Sequence, residues 1–157
     1  MDSKDLRQVF GRFATGITVI TTRTPEGEKY GVTINSFASV SLDPPLILWS
    51  LQNDSEMFEA FERCTRWAVN ILRSDQEDLS SRYAKRGDHQ LLAAHAETGT
   101  TGIPVMPASL VSLECELEQR YPGGDHVILL ARVLEMTYRG PGNPLVFCAG
   151  SYRQLAG

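Results

Sequence analysis

The sequence predicts an antiparallel β-barrel flanked by a few short helices, and three observations carry that prediction. Apolar and β-branched runs of strand length recur at six or more places along the 157 residues. The helical patterns between them number three and are short, so strand and crossover helix do not alternate as a doubly wound sheet requires. Turn chemistry, PEG at residues 25–27 and PGGD at 122–125, joins neighbouring runs as hairpins.

Taken in order, Leu6, Val9, Phe10 and Phe13 follow the i, i+3, i+4, i+7 spacing of one helix face, with Asp2 or Ser3 placed to cap its start. Residues 17–22 (ITVITT) are β-branched throughout, and the PEG turn leads to a return strand over 30–34. Residues 46–51 (LILWSL) and 67–72 (WAVNIL) are compact strands, separated by NDSEMFEAFER, where Asn53, Asp54 or Ser55 caps a short helix. Ser74 and Glu77 have capping-box spacing for a further helix through about Tyr83. Residues 86–107 collect Gly, Thr, Ala and Pro without period and read as an irregular excursion. Val111, Leu113, Cys115 and Leu117 then alternate with Ser112, Glu114, Glu116 and Glu118, the pattern of a strand with one face buried and one in solvent. After the PGGD turn come HVILLARVLEM and a last strand from Leu145 in PLVFCAG.

Composition narrows the function classes. The 42% hydrophobic and 22% charged content is that of a soluble globular protein, and residues 1–157 are expected to form one domain. A net charge of -4 supplies no basic footprint for nucleic acid. MDSKDLRQVF does not read as a secretory signal and no run of eighteen apolar residues occurs, so the expected setting is the cytoplasm, away from the membrane. Cys64, Cys115 and Cys148 are odd in number and widely spaced, and neither CxxC nor HExxH occurs, so no disulfide framework or metal site is expected. Cys115 and Cys148 fall in apolar patterns and read as packing residues; His89 and His95 fall in a polar stretch and read as solvated.

Residues 31–51 raise a sharper question. Thr33, Asn35, Ser36, Ser39 and Ser41 crowd hydroxyls and an amide between two strands, with Asp43 the only charge. Such a stretch suits a ligand with many polar atoms, or a polar loop. The dinucleotide-binding GxGxxG and the phosphate-cradling GxxxxGK[ST] are both absent, so any nucleotide is held another way. His126 follows a Gly-Gly-Asp turn directly and opens a strand, which fixes it beside a tight bend.

FATGITVITT (13–22), TINSFASVSLDPPL (33–46), WAVNIL (67–72) and GGDHVI (123–128), in this order and spacing, resemble the short-chain flavin reductases, the reductase components of two-component flavin-dependent monooxygenases. The resemblance covers nearly the whole chain. It implies a mainly β fold, an antiparallel Greek-key split barrel of about six strands, assembled as a homodimer. It also implies bound FMN or FAD, NADH or NADPH as electron donor, and a separate monooxygenase that receives the reduced flavin.

By the same resemblance, Thr33, Asn35, Ser36, Phe37, Ala38, Ser39, Val40 and Ser41 lie against the flavin, with the polar members at the ring edge and ribityl chain. Ser50, Gln52, Asn53 and Ser55 lie where the phosphate end is held, and a helix opened by Ser55 would favour an anion there. Arg82, Tyr83 and Arg86 contact the outer part of the cofactor, Ser151 and Tyr152 also belong to its site, and His126 is the catalytic candidate on the nicotinamide side. Two positions depart from the family pattern: Ser151 follows Gly150 where an arginine is common, with Arg153 nearby, and Ala131 stands where a glycine is common. The implied reaction passes hydride directly from nicotinamide to flavin N5, which asks the protein for positioning more than for acid or base. The rival readings are a flavoenzyme with another redox substrate on the same barrel, and a non-catalytic module that binds flavin or is related to haem degradation.

Overall fold

A computed structural model describes residues 1–156. It opens with α1 (Ser3–Phe10), capped by Asp2, whose carboxylate accepts the Lys4 N–H at 2.8 Å. The predicted stripe is present but unpartnered: no residue of α1 is buried, and Val9, Phe10 and Phe13 are exposed. After β1 (Thr15–Gly16), the β-branched run gives β2 (Thr18–Arg23), which the PEG turn folds back into β3 (Lys29–Ile34). Then come β4 (Ala38–Leu42), β5 (Pro45–Gln52), the five-residue α2 (Phe58–Glu62) and β6 (Arg66–Ile71). Next, α3 (Glu77–Ala84) leads into the excursion, which holds a single 3-10 turn (Ala93–His95) and the short pair β7 (Glu97–Thr98) and β8 (Pro104–Val105). The 13-residue strands β9 (Val111–Gly123) and β10 (His126–Tyr138) form the long hairpin at PGGD, with Gly124 at φ 70° supplying the turn's left-handed residue. Finally β11 (Val146–Cys148) and β12 (Ser151–Arg153) make a small sheet with β1.

Seven strands join in the antiparallel order β3-β2-β6-β9-β10-β5-β4, and the sheet curls until β3 approaches β5. This is the split barrel that the sequence implies. Although β3 and β4 are consecutive, they lie at opposite edges of the sheet, so residues 35–37 must bridge its open end. Ser36 clamps that bridge: its Oγ donates to Ser50 O at 3.1 Å and accepts the Ser50 N–H at 2.9 Å.

Inside the barrel Trp49, Trp67, Phe61, Ile20, Val69 and Leu129 are buried together, and the Trp49 ring meets Phe61 and Trp67 edge-on at 5.1 and 5.7 Å. Loss of one such indole to alanine would cost about 3–5 kcal/mol. Ala131 is fully buried in this cluster, so its methyl group packs into the core. A second cluster, with Val19, Leu72, Tyr83, Met106 and Leu145, fastens α3 to the outside of the sheet.

Three local expectations change. Ser74 does not cap α3; the N-cap is Gln76, whose side chain instead accepts the Arg73 N–H at 2.7 Å and donates to Ala108 O at 3.0 Å. The polar face of β9 is not solvated at Ser112 and Glu114, which are 1% and 3% exposed because the excursion folds over them. Glu114 accepts the Thr100 N–H at 3.2 Å, the Thr101 N–H at 2.8 Å and the Thr101 hydroxyl at 2.6 Å, and thereby pins the excursion down. His89 and His95 are not free in solvent: His89 is buried, and His95 Nδ1 lies 2.7 Å from the Tyr83 hydroxyl. Burial lowers the His95 pKa, with a smaller contribution in the same direction from Arg82. Among the described residues no helix is long and apolar enough to cross a membrane.

Candidate active site

A groove of about 380 Å3 opens where β3 runs past the segment that covers its edge. Gly31 N–H donates to His89 O at 2.8 Å and Leu91 N–H to Lys29 O at 2.9 Å, so residues 89–91 pair with the outer edge of β3. Strand backbone repeats every two residues, so the N–H and C=O of Thr33 point outward as those of Gly31 do. Among the described residues no strand pairs with the edge at Thr33, and it faces the groove. Gly31 itself is fixed by closeness: a Cβ there would stand 3.1 Å from the Tyr83 ring and 3.3 Å from Val19.

The remaining walls come together through strand register. His126 stands opposite Gln52, and Ile128 opposite Ser50, so the start of β10 and the end of β5 flank the groove. The Asn53 N–H donates to Asp125 O at 2.9 Å and its side-chain amide to Gly124 O at 3.2 Å, which locks the turn after β5 to the PGGD turn. From that turn Asp54, Ser55 and Glu56 line the groove, the end of α3 adds Ala84, and the strap after it adds Arg86 and His89. Val32 and Leu51, both buried, give the groove an apolar floor.

The hydroxyls divide into those the fold has used and those left open. Thr33 Oγ1 donates to Ser80 O at 2.7 Å, Ser55 Oγ accepts the Met57 N–H at 3.1 Å, and Ser36 is the clamp described above. Among the described residues the side chains of Asn35, Ser50 and Gln52 make no hydrogen bond, and Arg86 makes only a long one, 3.5 Å to Asp54 O. His126 Nδ1 lies 2.7 Å from Asp125 Oδ1, and this hydrogen bond lowers the Asp125 pKa, while Nε2 has no partner among the described residues.

Of the expected site residues, Thr33, Asn35, Ser36, Ser50, Gln52, Ser55, Arg86 and His126 line the groove, and the others do not. Phe37 packs against the barrel core. Ala38, Ser39, Val40 and Ser41 lie on the edge strand β4, where the register skips Val40 as a bulge and most side chains face out. Asn53 is committed to the PGGD turn. Arg82 stacks 5.6 Å from the Tyr83 ring, and Tyr83 is a core residue whose hydroxyl accepts the Leu92 N–H at 3.2 Å. Ser151 sits on β12, and the Tyr152 hydroxyl lies 2.7 Å from Ser80 Oγ, tying that strand to α3. Nor does Ser55 open a helix: α2 starts at Phe58 with Met57 as its N-cap, too late and too short to offer an anion site. Asp54, Glu56, Ala84 and His89 had no periodic signal. The one hint was Gly31, because a glycine inside a strand marks another segment's close approach.

An apolar floor, an open strand edge and an arginine at one end suit a ligand with a flat ring, a polar ring edge and an anionic tail, and the residues present therefore fit a flavin nucleotide. Residues 10–156 match the family described as flavin reductase like domain. FMN reductase (NADH) SmoA of Agrobacterium fabrum is 41% identical over 155 residues, covering 99% of this chain and 87% of that protein. The flavin-dependent monooxygenase reductase subunit HsaB of Rhodococcus jostii is 33% identical, covering 97% of this chain and 77% of that one. Among solved structures, the NADH:FAD oxidoreductase of Streptomyces globisporus, in complex with NAD and FAD fragments, superposes with a TM-score of 0.91 at 35% identity, covering 99% of this chain and 96% of that one. Family match, close relatives and shared barrel agree over nearly the full length: this chain belongs to the flavin reductase-like family.

Proposed function

We propose that this protein uses NADH or NADPH to reduce FMN or FAD in the groove, and that the reduced flavin leaves to serve a separate monooxygenase. The observation that carries this reading is the open edge of β3, whose outward main-chain groups at Thr33 stand beside the uncommitted amide of Asn35. Bound flavin supplies the two-electron chemistry. The chain's part is to hold and orient it: Thr33 and Asn35 meet the polar ring edge, Val32 and Leu51 seat the ring, Ser50 and Gln52 reach the ribityl hydroxyls, and Arg86 faces the anionic end. His126, held at the start of β10 by the PGGD turn and by Asp125, is placed to seat the nicotinamide. Donors fixed by strand geometry need no reorganisation as charge grows on the ring edge, which is where electrostatic stabilisation is largest.

The names of SmoA and of the Streptomyces globisporus structure support the nicotinamide and flavin assignments, and that of HsaB supports a monooxygenase partner. Steady NADH or NADPH oxidation that rises with added FMN or FAD is the expected result. A yellow protein inert to both nicotinamides, or a protein that binds no flavin, overturns the reading. Hydroxylation of a phenol by the isolated protein would overturn the separate monooxygenase.

We also propose a homodimer. Val9, Phe10, Phe13, Leu42, Met136 and Tyr138 are exposed, Leu42 at 96%, and scattered single residues do not account for a whole apolar helix stripe. Sedimentation at assay concentration should give twice the mass of the 17.4 kDa chain, and a monomer with full flavin affinity would refute the dimer.

A further inference from the structure

The strap over residues 85–96 covers the first half of the β3 edge and brings Arg86 and His89 to the groove, and its far end hangs on one hydroxyl. Residues 89–91 pair with β3, but among the described residues the hydrogen bonds that 92–96 make outside their own segment all end on Tyr83. The Leu92 N–H donates to the Tyr83 hydroxyl at 3.2 Å, and His95 Nδ1 lies 2.7 Å from the same oxygen. The Tyr83 ring is fully buried against Gly31 of β3 and meets the His95 ring edge-on at 5.7 Å.

Donor counting assigns the proton at this junction. A main-chain N–H only donates, so the Tyr83 oxygen accepts from Leu92 and its own hydrogen needs an acceptor. Among the described residues His95 Nδ1 is the one acceptor in reach, and it accepts only when it carries no hydrogen. The ring is therefore neutral, with its hydrogen on Nε2. A further proton would set a second donor against the phenol oxygen and strand the hydroxyl hydrogen in the interior.

The surroundings offer that proton no compensation. Burial, and then the Arg82 guanidinium on α3, hold the His95 pKa below the usual histidine value. Carboxylates stand beside His89 (Glu56) and His126 (Asp125), but none does so beside His95 among the described residues. On the strap itself Asp88 pairs with Lys85 at 3.8 Å, and Glu97, further along the chain, stands near Arg139.

We propose that the Tyr83 hydroxyl is the latch of the groove's outer wall, a positioning residue acting through the strap, and that protonation of His95 releases it and weakens flavin binding in mild acid. The effect on binding rests on the flavin reading; the latch itself does not. The sign follows from linkage: a ring held neutral by the folded strap contributes fully above about pH 6.5, and the contribution is lost as pH falls below it.

His95→Asn tests the latch, because the side-chain oxygen can take the place of Nδ1, accept the Tyr83 hydroxyl and never titrate. At pH 7.5 this variant should bind FMN as the wild type does. At pH 5.5 the wild type should bind FMN about fivefold more weakly than the variant, and its Leu91 and Leu92 amides should exchange with deuterium faster than the variant's. Comparison at one pH cancels the titration of the FMN phosphate, His89 and His126. Equal affinity and equal exchange at pH 5.5 overturn the proposal, and so does faster exchange without weaker binding.

A second readout needs no variant. In side-chain 15N–1H correlation spectra of the wild type at pH 7.5, the His95 ring should be the neutral Nε2–H form; an Nδ1–H or doubly protonated ring overturns the latch. A wild-type protein that binds no FMN at pH 7.5 overturns the flavin reading and the effect on binding, while the ring spectra and the exchange comparison still decide the latch.

Discussion

Asn70, near the end of β6, and Asn35, in the bend after β3, carry the same amide in opposite circumstances. Asn70 is fully buried and every hydrogen-bonding capacity is filled: Nδ2 donates to Val19 O and Thr21 Oγ1, each at 3.0 Å, while Oδ1 accepts the Met106 N–H at 2.9 Å and the Ser112 hydroxyl at 2.7 Å. The chain continues outward, because Arg139 Nη1 donates to Ser112 Oγ at 3.0 Å and Ser109 Oγ at 2.9 Å. Asn35 is exposed, and its amide is uncommitted among the described residues. A polar group satisfied inside the protein specifies the fold; one left unsatisfied at a groove is available to a ligand.

The sharpest way to break this contrast is Asn70→Leu. It strands the Met106 N–H and the Ser112 hydroxyl in the interior, so stability should fall by about 3 kcal/mol or more, or roughly 10 °C in melting midpoint. Flavin affinity per folded molecule should be unchanged. A midpoint within about 2 °C of wild type would show that the buried network is dispensable.

Glu114→Gln comes next. The amide presents hydrogens to donors at Thr100 or Thr101, and the lost charge-assisted bonds should cost about 2 kcal/mol. Limited proteolysis should then cut at residues 97–105 well before the barrel unfolds; unchanged protection would mean that the excursion is held by other contacts.

The apolar face of the same strand supplies a pH test. Burial, then the neighbouring Glu114 charge, pushes the Cys115 thiol from 9.0 up to about 12. A folded pKa above the unfolded one means that the stabilisation is complete below pH 9 and is lost as pH rises toward 12, by about 1.4 kcal/mol per unit. Denaturant titrations at pH 8 and 10 should show the loss in the wild type and not in Cys115→Ala.

The smallest expected effect is on the open side. Asn35→Ala should weaken flavin binding by about 1 kcal/mol, roughly fivefold, and shift the melting midpoint by less than about 1 °C. Unaltered fluorescence titrations would take Asn35 out of the site.

The same contrast explains what could be read from the sequence. Hairpins were legible because their signals are local: ITVITT with PEG gives β2 and β3, and PGGD places His126 at the start of β10. The bend at Asn35 and Ser36 was legible as polar chain between strands. Period-2 alternation, however, says which side chains share a face and nothing about what covers it, so Ser112 and Glu114 read as solvent-facing although the excursion buries them. Similarly, hydroxyl-rich composition cannot tell Ser36, committed to Ser50, from Ser39, turned out on an edge strand. His89 and Glu56, 33 residues apart by their numbering, meet only because residues 89–91 pair with β3.

That half-covered β3 edge has a consequence for handling the protein. An unpaired strand edge is a template that any other extended chain can join, and proteins ordinarily blunt such edges with charge, proline or a covering segment. Here residues 89–91 blunt the first half, and the second half is left bare beside the groove. A bound flavin would therefore double as a cap against edge-to-edge association, and preparations stripped of it should turn cloudy sooner on storage than the yellow protein at equal concentration.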